Sequence, residues 1–381
     1  MQANQADSEL EEEHLINFVV NRLEETLPLD LGEDVEVTPA ELYKVLVGAC
    51  ADGTSITHIC ETTDDSPHDN TVREYLTDQF DLKTLELAGN TLLQQDLIDI
   101  LPDRPVEVVA DLHLDPYYGD EDETSHLYSS EAKRGTTTFH AYATLYARVR
   151  NKRYTLALRQ VTNGETTSDV LAEFLTLLDG LDLGVKAVYL DRGFYNSDCI
   201  DLLSAHNYAY VMPIVKWGDE IKEELNNGWS RIIQHSIADS VTFPIFIDCV
   251  YQRGRYDEHG VARHGYAVDA PFIDTPAEAR RHYSKRFGIE TSYRLAQESL
   301  ALTSSRDAGL RYLLFVTSLL LQNVWRYVHW EFVATARRGG RRLWKWPFVE
   351  FCEMLTRAVW AAFNVRRAVP ANKPPDDRFK R

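Results

Sequence analysis

"VKAVYLDRGFYN", residues 185–196, is the stretch on which the fold turns. Val185 to Leu190 form a short run with little polarity, rich in β-favouring side chains. Such a run reads as a strand buried on both faces. It ends in Asp191, and Arg192-Gly193 breaks the pattern. A carboxylate at the end of a buried strand is costly unless it is paired or binds a metal.

The elements on either side extend this reading. Upstream, "TSDVLAEFLTLLDGL" places Val170, Leu171, Phe174, Leu175 and Leu178 on one helical face and stops at Gly180. Before it, "TTTFHAYATLYARVR" and "RYTLALRQVT" read as two antiparallel strands split by Asn151-Lys152. "VEVVADLHL" is an apolar strand carrying Asp111, and "LPDRPVE" at 101–107 marks a boundary before it. Downstream, "SDCIDLLSAHN" is a helix and "YAYVMPIV" a strand. The order βββαβαβ predicts an α/β fold, a ribonuclease H-like mixed sheet with flanking helices. In that order the first and fourth strands are central neighbours, so Asp111 and Asp191 are directed to one spot.

Residues 216–269 contain "NNGWSRIIQHS", "VTFPIFIDCVYQ" and "GVARHGYAVDAP" and read as a β-rich insertion. A helix then starts at a clear signal: Thr275 as N-cap, Pro276 at its first position and Glu278 completing a capping box. It leads into "HYSKRFGIETSYRLAQ", residues 282–297. At 100° per residue, Tyr283, Arg286, Glu290, Arg294 and Gln297 fall within an arc of about 80°. One reading is a solvated face with Arg286–Glu290 and Glu290–Arg294 ion pairs. Phe287 beside the arc argues that the face is not freely exposed.

The 381 residues suit two or three domains. The division expected is a helical region over 1–104, a catalytic core over 105–215 and 270–325, the β-rich insertion 216–269 between its parts, and a basic helical C-terminal region 326–381. The first region includes a short helix from Ser55, a polar turn and a second helix near Asn70–Gln79, a helix-turn-helix whose second helix would enter a major groove. Its one arginine, Arg73, and the adjacent Asp64 and Asp65 weaken that reading, and a plain packing module is the alternative. Net charge is −19, yet residues 332–381 hold 12 bases against 4 acids. Arg341 and Arg342 in "RRGGRRLWKWPF", with its tryptophans, are therefore candidate contacts to phosphates and bases, while "FVEFCEMLTRAVWAAF" is an amphipathic helix that the tryptophans can pack. The acidic excess with 11 lysines against 29 arginines suits solubility at high salt. Five cysteines with no CxxC pair argue against a disulfide framework or zinc ribbon. No apolar run reaches the ~18–20 residues of a membrane span, and the polar N-terminus is no signal peptide, so a cytoplasmic protein is expected.

Tyr283, Arg286 and Glu290, at the spacing Tyr-x2-Arg-x3-Glu, resemble the Tyr-Arg-Glu-Lys signature of insertion-sequence DDE transposases. "DRGFYN" at 191–196 is similar to the family's second-Asp motif, and Asp111 followed by "PYYG" at 116–119 to its first. A haloarchaeal branch is nearest, and the resemblance covers roughly residues 105–325. The signature Lys is replaced by Gln297, with Arg294 one turn earlier as a stand-in. The resemblance implies a DNA transposase that cuts element ends and joins 3′-OH ends to target DNA. It implies two Mg2+ ions, replaceable by Mn2+, held by Asp111, Asp191 and Glu290, with phosphate contacts from Tyr283, Arg286, Arg294 and Gln297. Arg192, next to Asp191, either screens the site or contacts DNA, or forms a structural ion pair. Double-stranded DNA and a homodimeric synaptic complex are the implied partners. The alternatives are a nuclease of the same fold without strand transfer, or a DNA-binding relic, which the presence of all three acids disfavours. His113, two residues past Asp111, is either a site residue steering a water or metal or a hydrogen-bonded neighbour.

Overall fold

The structure is a computed structural model that describes residues 9–32, 35–102, 104–149, 152–237, 241–251, 253, 260–285, 299–337, 340–342 and 345–367. Among these, nine strands form one mixed sheet: β1 (Val106–Pro116), β2 (Tyr128–Lys133), β3 (Thr136–Val149), β4 (Lys152–Val161), β5 (Val185–Leu190), β6 (Tyr210–Pro213), β7 (Arg231–Ile237), β8 (Val241–Tyr251) and β9 (Val261–Asp269). The spatial order is β2-β3-β1-β5-β6-β9-β8-β7, with β4 also paired to β3. β1 is antiparallel to β3 and parallel to β5, and β5 is parallel to β6. The expected mixed sheet with flanking helices is therefore present, and the first and fourth strands foreseen from the sequence, β1 and β5, are central neighbours. The β-rich segment continues this sheet, because β9 pairs antiparallel with β6. Two elements inside the sheet region carried no sequence signal that was read: β2, and helix α9 (Asp219–Asn226) within the β-rich stretch.

The sheet's two faces are covered differently. Val106, Val108 and Ala110 of β1 and Val188 and Leu190 of β5 bury against α7 (Thr167–Gly180) and α8 (Ser197–Ala205). The alternate residues, Val109, Ala187 and Tyr189, bury with Ala279 and Tyr283 of α10 (Pro276–Ser284). The Thr275 hydroxyl caps α10, accepting from the Glu278 amide at 3.3 Å, while Glu278 reaches back to the Asp274 amide at 3.1 Å, one residue before the amide a full capping box would use.

The N-terminal helices α1 (Glu12–Thr26), α2 (Pro39–Asp52), α3 (Ile56–Thr62), α4 (Asp69–Asp78), α5 (Leu82–Gln94) and α6 (Leu97–Ile100) precede the sheet. All but α6 share one apolar cluster with two later helices, α11 (Ala308–Val328) and α12 (Phe348–Ala362). Gly89 lets α5 approach α11 closely: a Cβ there would lie 2.9 Å from the Tyr312 hydroxyl and 3.0 Å from Val316 Cγ2. No helix among the described residues is long and apolar enough to cross a membrane.

β4 is an edge, since β3 is its one strand partner among the described residues. An edge leaves backbone donors and acceptors open, and here helix side chains take them. Glu86 accepts from the Gln160 amide at 2.6 Å, Asn90 from the Leu158 amide at 2.8 Å, and Gln94 donates to the Leu156 carbonyl at 2.9 Å. These three residues repeat every fourth position along α5. From α11, the Tyr312 hydroxyl donates to the Leu158 carbonyl at 2.9 Å. Asn323 accepts from the Thr155 amide at 3.0 Å and donates to the Thr155 carbonyl at 2.7 Å and the Leu93 carbonyl at 3.0 Å. The helical layer is thus bonded to the sheet as well as packed on it.

Two stability effects follow. Asn323→Ala strands three buried backbone groups and lowers stability by about 3 kcal/mol, read as a lower urea midpoint at unchanged m. Burial pushes the Glu86 carboxyl up to about 7, against the opposing hydrogen bond from the Gln160 amide. A folded pKa above the unfolded value means that protonation stabilises the fold. This contribution is complete below about 4.5 and is lost as pH rises through about 7. Glu86→Gln therefore flattens the stability profile between those values and gains stability relative to wild type at pH 8, measured by chemical denaturation across pH.

Candidate active site

The parallel ladder of β1 and β5 runs Val108↔Val188, Val109↔Tyr189, Ala110↔Leu190 and stops. The next residue on each strand is an aspartate, Asp111 and Asp191. Neighbouring strands lie about 4.8 Å apart, and side chains alternate faces. Asp111 follows Val109, and Asp191 follows Tyr189, onto the face that α10 covers. Both are half-buried. Asp111 accepts from the Leu112 amide at 3.1 Å and lies opposite Thr144 of β3. Asp191 heads a tight 3-10 turn, Arg192–Phe194, in which its carbonyl accepts from the Phe194 amide at 3.0 Å. Buried Phe194 anchors that turn, while Arg192 is left exposed. The local sequence accounts for this: the apolar run ends, and Gly193 eases the turn.

Asp191 opens onto a cleft of about 1030 Å³ whose wall includes Arg192, Lys216, Arg263, Arg280 and Tyr283. Four permanent cations there surround one carboxylate, in a chain whose net charge is −19. Arg280 of α10 is held by Asp248 of β8 at 3.6 Å. Asp248 is 4% exposed and also accepts from the Ser230 hydroxyl at 3.3 Å. Arg263 of β9 donates to the Gly228 carbonyl at 3.0 Å, which fixes its stem beside the cleft. Lys216, Arg263 and Arg280 were not singled out from the sequence. They come from three separate elements, and their convergence depends on β9 joining the sheet beside β6.

Tyr283, expected at a phosphate, is 3% exposed. Its ring packs on Tyr266 at 5.3 Å between centroids, in the layer between α10 and the sheet, and its residue forms part of the cleft wall. Arg286, Glu290, Arg294 and Gln297 lie outside the described residues; α10 is described to Ser284, six positions before Glu290. His113 packs on Phe315 of α11 at 5.5 Å. Burial lowers its pKa against the opposing charge of Asp115, so it is a neutral neighbour of the site at pH 7.

The remaining candidates sit elsewhere. Arg341 belongs to a small hairpin, β10 (Thr335–Arg337) and β11 (Gly340–Arg342), and pairs with Glu331 at 3.2 Å. Arg342 is exposed on the same hairpin. The helix-turn-helix elements form where expected, as α3 and α4, but Arg73 is bonded to Asp69 at 2.7 Å and to the Thr57 hydroxyl. The intervening turn is covered by the end of α12: the Asp64 amide donates to the Phe363 carbonyl at 3.2 Å, and Arg366 pairs with Asp64 at 3.2 Å. In this chain those helices are built into the helical layer.

Among the described residues no group of three or more His, Cys, Asp or Glu side chains is placed to hold a metal ion. Asp111 and Asp191 together supply two carboxylates. That donor set fits Mg2+, which keeps several waters and takes one or two carboxylates plus phosphate oxygens of a substrate.

No family model matches the chain, and no curated protein matches it in sequence. Its fold is similar to that in a cryo-EM structure of a piggyBac transposase synaptic complex with hairpin DNA, over 99% of this chain and 89% of that one, with a TM-score of 0.56 and 11% identity. At that identity the likeness is one of fold alone: a mixed α/β sheet of the ribonuclease H-like kind, with flanking and N-terminal helices.

Proposed function

We propose that the protein is a metal-dependent DNA transposase of the insertion-sequence DDE kind, acting in the cytoplasm as a homodimer on double-stranded DNA. The observation that carries this reading is the end of the β1–β5 ladder. There Asp111 and Asp191 emerge at one level, on one face, beside a cleft of cations. The fold likeness and the Tyr283-Arg286-Glu290 spacing support it.

In this reading Asp111, Asp191 and Glu290 hold the divalent ions. Mg2+ or Mn2+ bound there supplies a lowered pKa for the attacking hydroxyl and charge neutralisation at the phosphorus. Arg192, Lys216, Arg263 and Arg280 bind and orient the DNA phosphates, Arg280 and Arg263 with restrained guanidinium forks that suit two oxygens. Asp248 keeps Arg280 turned toward the cleft. Arg286, Arg294 and Gln297 contact phosphates next to the scissile bond. Tyr283 sets the α10 wall rather than reaching outward, because its ring is committed to Tyr266. Arg341 and Arg342 add an outlying basic contact. A nuclease that cuts without joining uses the same two aspartates; it differs by product alone.

With pre-cut element ends and a target plasmid, the wild-type protein gives strand-transfer product in Mg2+ or Mn2+ and none in EDTA. Asp111→Asn and Asp191→Asn each lower that product at least about a hundredfold while duplex binding persists. Cleavage without joining would favour the nuclease, and full activity in Asp191→Asn would remove that residue from the site. Arg280→Gln weakens duplex binding and reduces the slope of log K against log salt by about 0.9, the mark of one lost phosphate contact.

A further inference from the structure

A second cationic site lies at the other end of the sheet. Arg148 of β3 pairs with Glu107, four residues and about 13 Å before Asp111 along β1. Just beyond it, Val149, Lys152, Tyr154, Trp325, Arg326 and Trp330 are among the residues lining a cavity of about 40 Å³ that opens to solvent. Arg326, near the end of α11, is 6% exposed. Its Nε and Nη1 are buried and have no hydrogen-bond partner. Its guanidinium carbon lies 5.9 Å from the Trp325 ring centroid, and the Lys152 ammonium lies 5.3 Å from that ring. The Trp325 indole is fixed by its donation to the Trp346 carbonyl at 3.1 Å. Two cations therefore converge on one cavity beside a locked aromatic wall.

The electrostatics call for a counter-charge. Burial pulls the Arg326 pKa down to about 9, and the charge of Arg153 adds to the effect while Tyr154 opposes it. Lys152 is lowered by burial and then by Arg326 itself. No carboxylate is among the groups acting on either cation. An unpaired buried charge is among the costliest features a fold can carry. Water would meet the N–H groups of these two nitrogens but would leave the charge uncompensated. The cavity opens to solvent, so an oxyanion larger than its interior can enter in part, and a guanidinium fork matches an oxyanion with two acceptor oxygens.

We propose that this cavity binds a phosphate group, held by Arg326 and Lys152 against Trp325. The group can belong to a DNA backbone or to free phosphate; the site chemistry is the same. The proposal does not rest on the transposase reading, because inorganic phosphate alone tests it.

The test is thermal unfolding of the full chain against sodium phosphate, with ionic strength held constant by sodium chloride. Wild type gains melting temperature with phosphate in a saturable way. Arg326→Met shows no phosphate response. Lys152→Gln, a change at an exposed residue that keeps the fold, needs about tenfold more phosphate for the same gain, the worth of one charge-assisted hydrogen bond. If Arg326→Met fails to fold, Lys152→Gln still decides. A wild type without a phosphate-specific gain, or a Lys152→Gln response equal to wild type, would overturn the site and leave Arg326 a hydrated structural cation. Binding of a short duplex at low salt separates the sources. A DNA source makes Lys152→Gln weaken it and phosphate compete; a free-phosphate source leaves duplex binding unchanged while the phosphate response is lost.

Discussion

The candidate site depends on one constraint, the parallel register of β1 against β5. In a parallel pair both chains run the same way, so residues that leave the ladder together leave it at the same height. Ala110 and Leu190 are the last partners, and each is followed by aspartate. A slip of one residue would send one carboxylate into the apolar layer under α7 and α8. A slip would also drive Val108, Ala110, Val188 and Leu190 into the space on the other face that Val109, Ala187 and Tyr189 already fill. The acids are thus positioned by burial of their neighbours, and their own polarity contributes little to holding them.

The register of the neighbouring edge has a different origin. β4 cannot pair with another strand, so α5 and α11 supply Glu86, Asn90, Gln94, Tyr312 and Asn323 to its backbone. This fixes the helical layer along β4 as well as against it. α11 then carries Arg311 to Asp115 at 3.4 Å and Phe315 to His113, in the half of β1 that follows Asp111, and Arg326 toward the end where β1 begins. One helix thereby connects the surroundings of both sites.

Much of this was legible in the sequence, and the limits have physical causes. The long strands, α7, α8 and the Thr275-Pro276-Glu278 helix start follow from local patterns, and the two aspartates follow from the apolar runs that precede them. The polar stripe of α5 is different. Glu86, Asn90 and Gln94 recur as a solvated face would, and nothing local says that they meet an edge strand. Tyr283 fell in a polar arc at helical spacing, yet its ring is buried, because the arc argument weighs neighbours on the helix and not the sheet beneath it. α9 was hidden in a stretch dominated by strand-forming residues, with Ile221 and Leu225 its two fully buried anchors. Lys216, Arg263 and Arg280 belong to a site assembled by long-range pairing, and single-sequence periodicity carries no information about which distant cations will share a wall.

On the proposed function, the charge balance explains why a basic cleft is needed at all. A chain at −19 repels a polyanion at long range. Screening shortens that repulsion to roughly 8–10 Å at moderate salt, so contact is decided by the local field. Within the cleft four cations face one aspartate, and low-dielectric walls strengthen their effect over that of exposed side chains. Holding Arg280 on a buried acid would normally cancel part of its charge. Here Asp248, at 4% exposure, stands 3.6 Å from the guanidinium, beyond hydrogen-bond reach, and acts on it by charge. On the proposed function, the pairing gives up some positive potential in return for a cation kept on the wall that Asp191 shares.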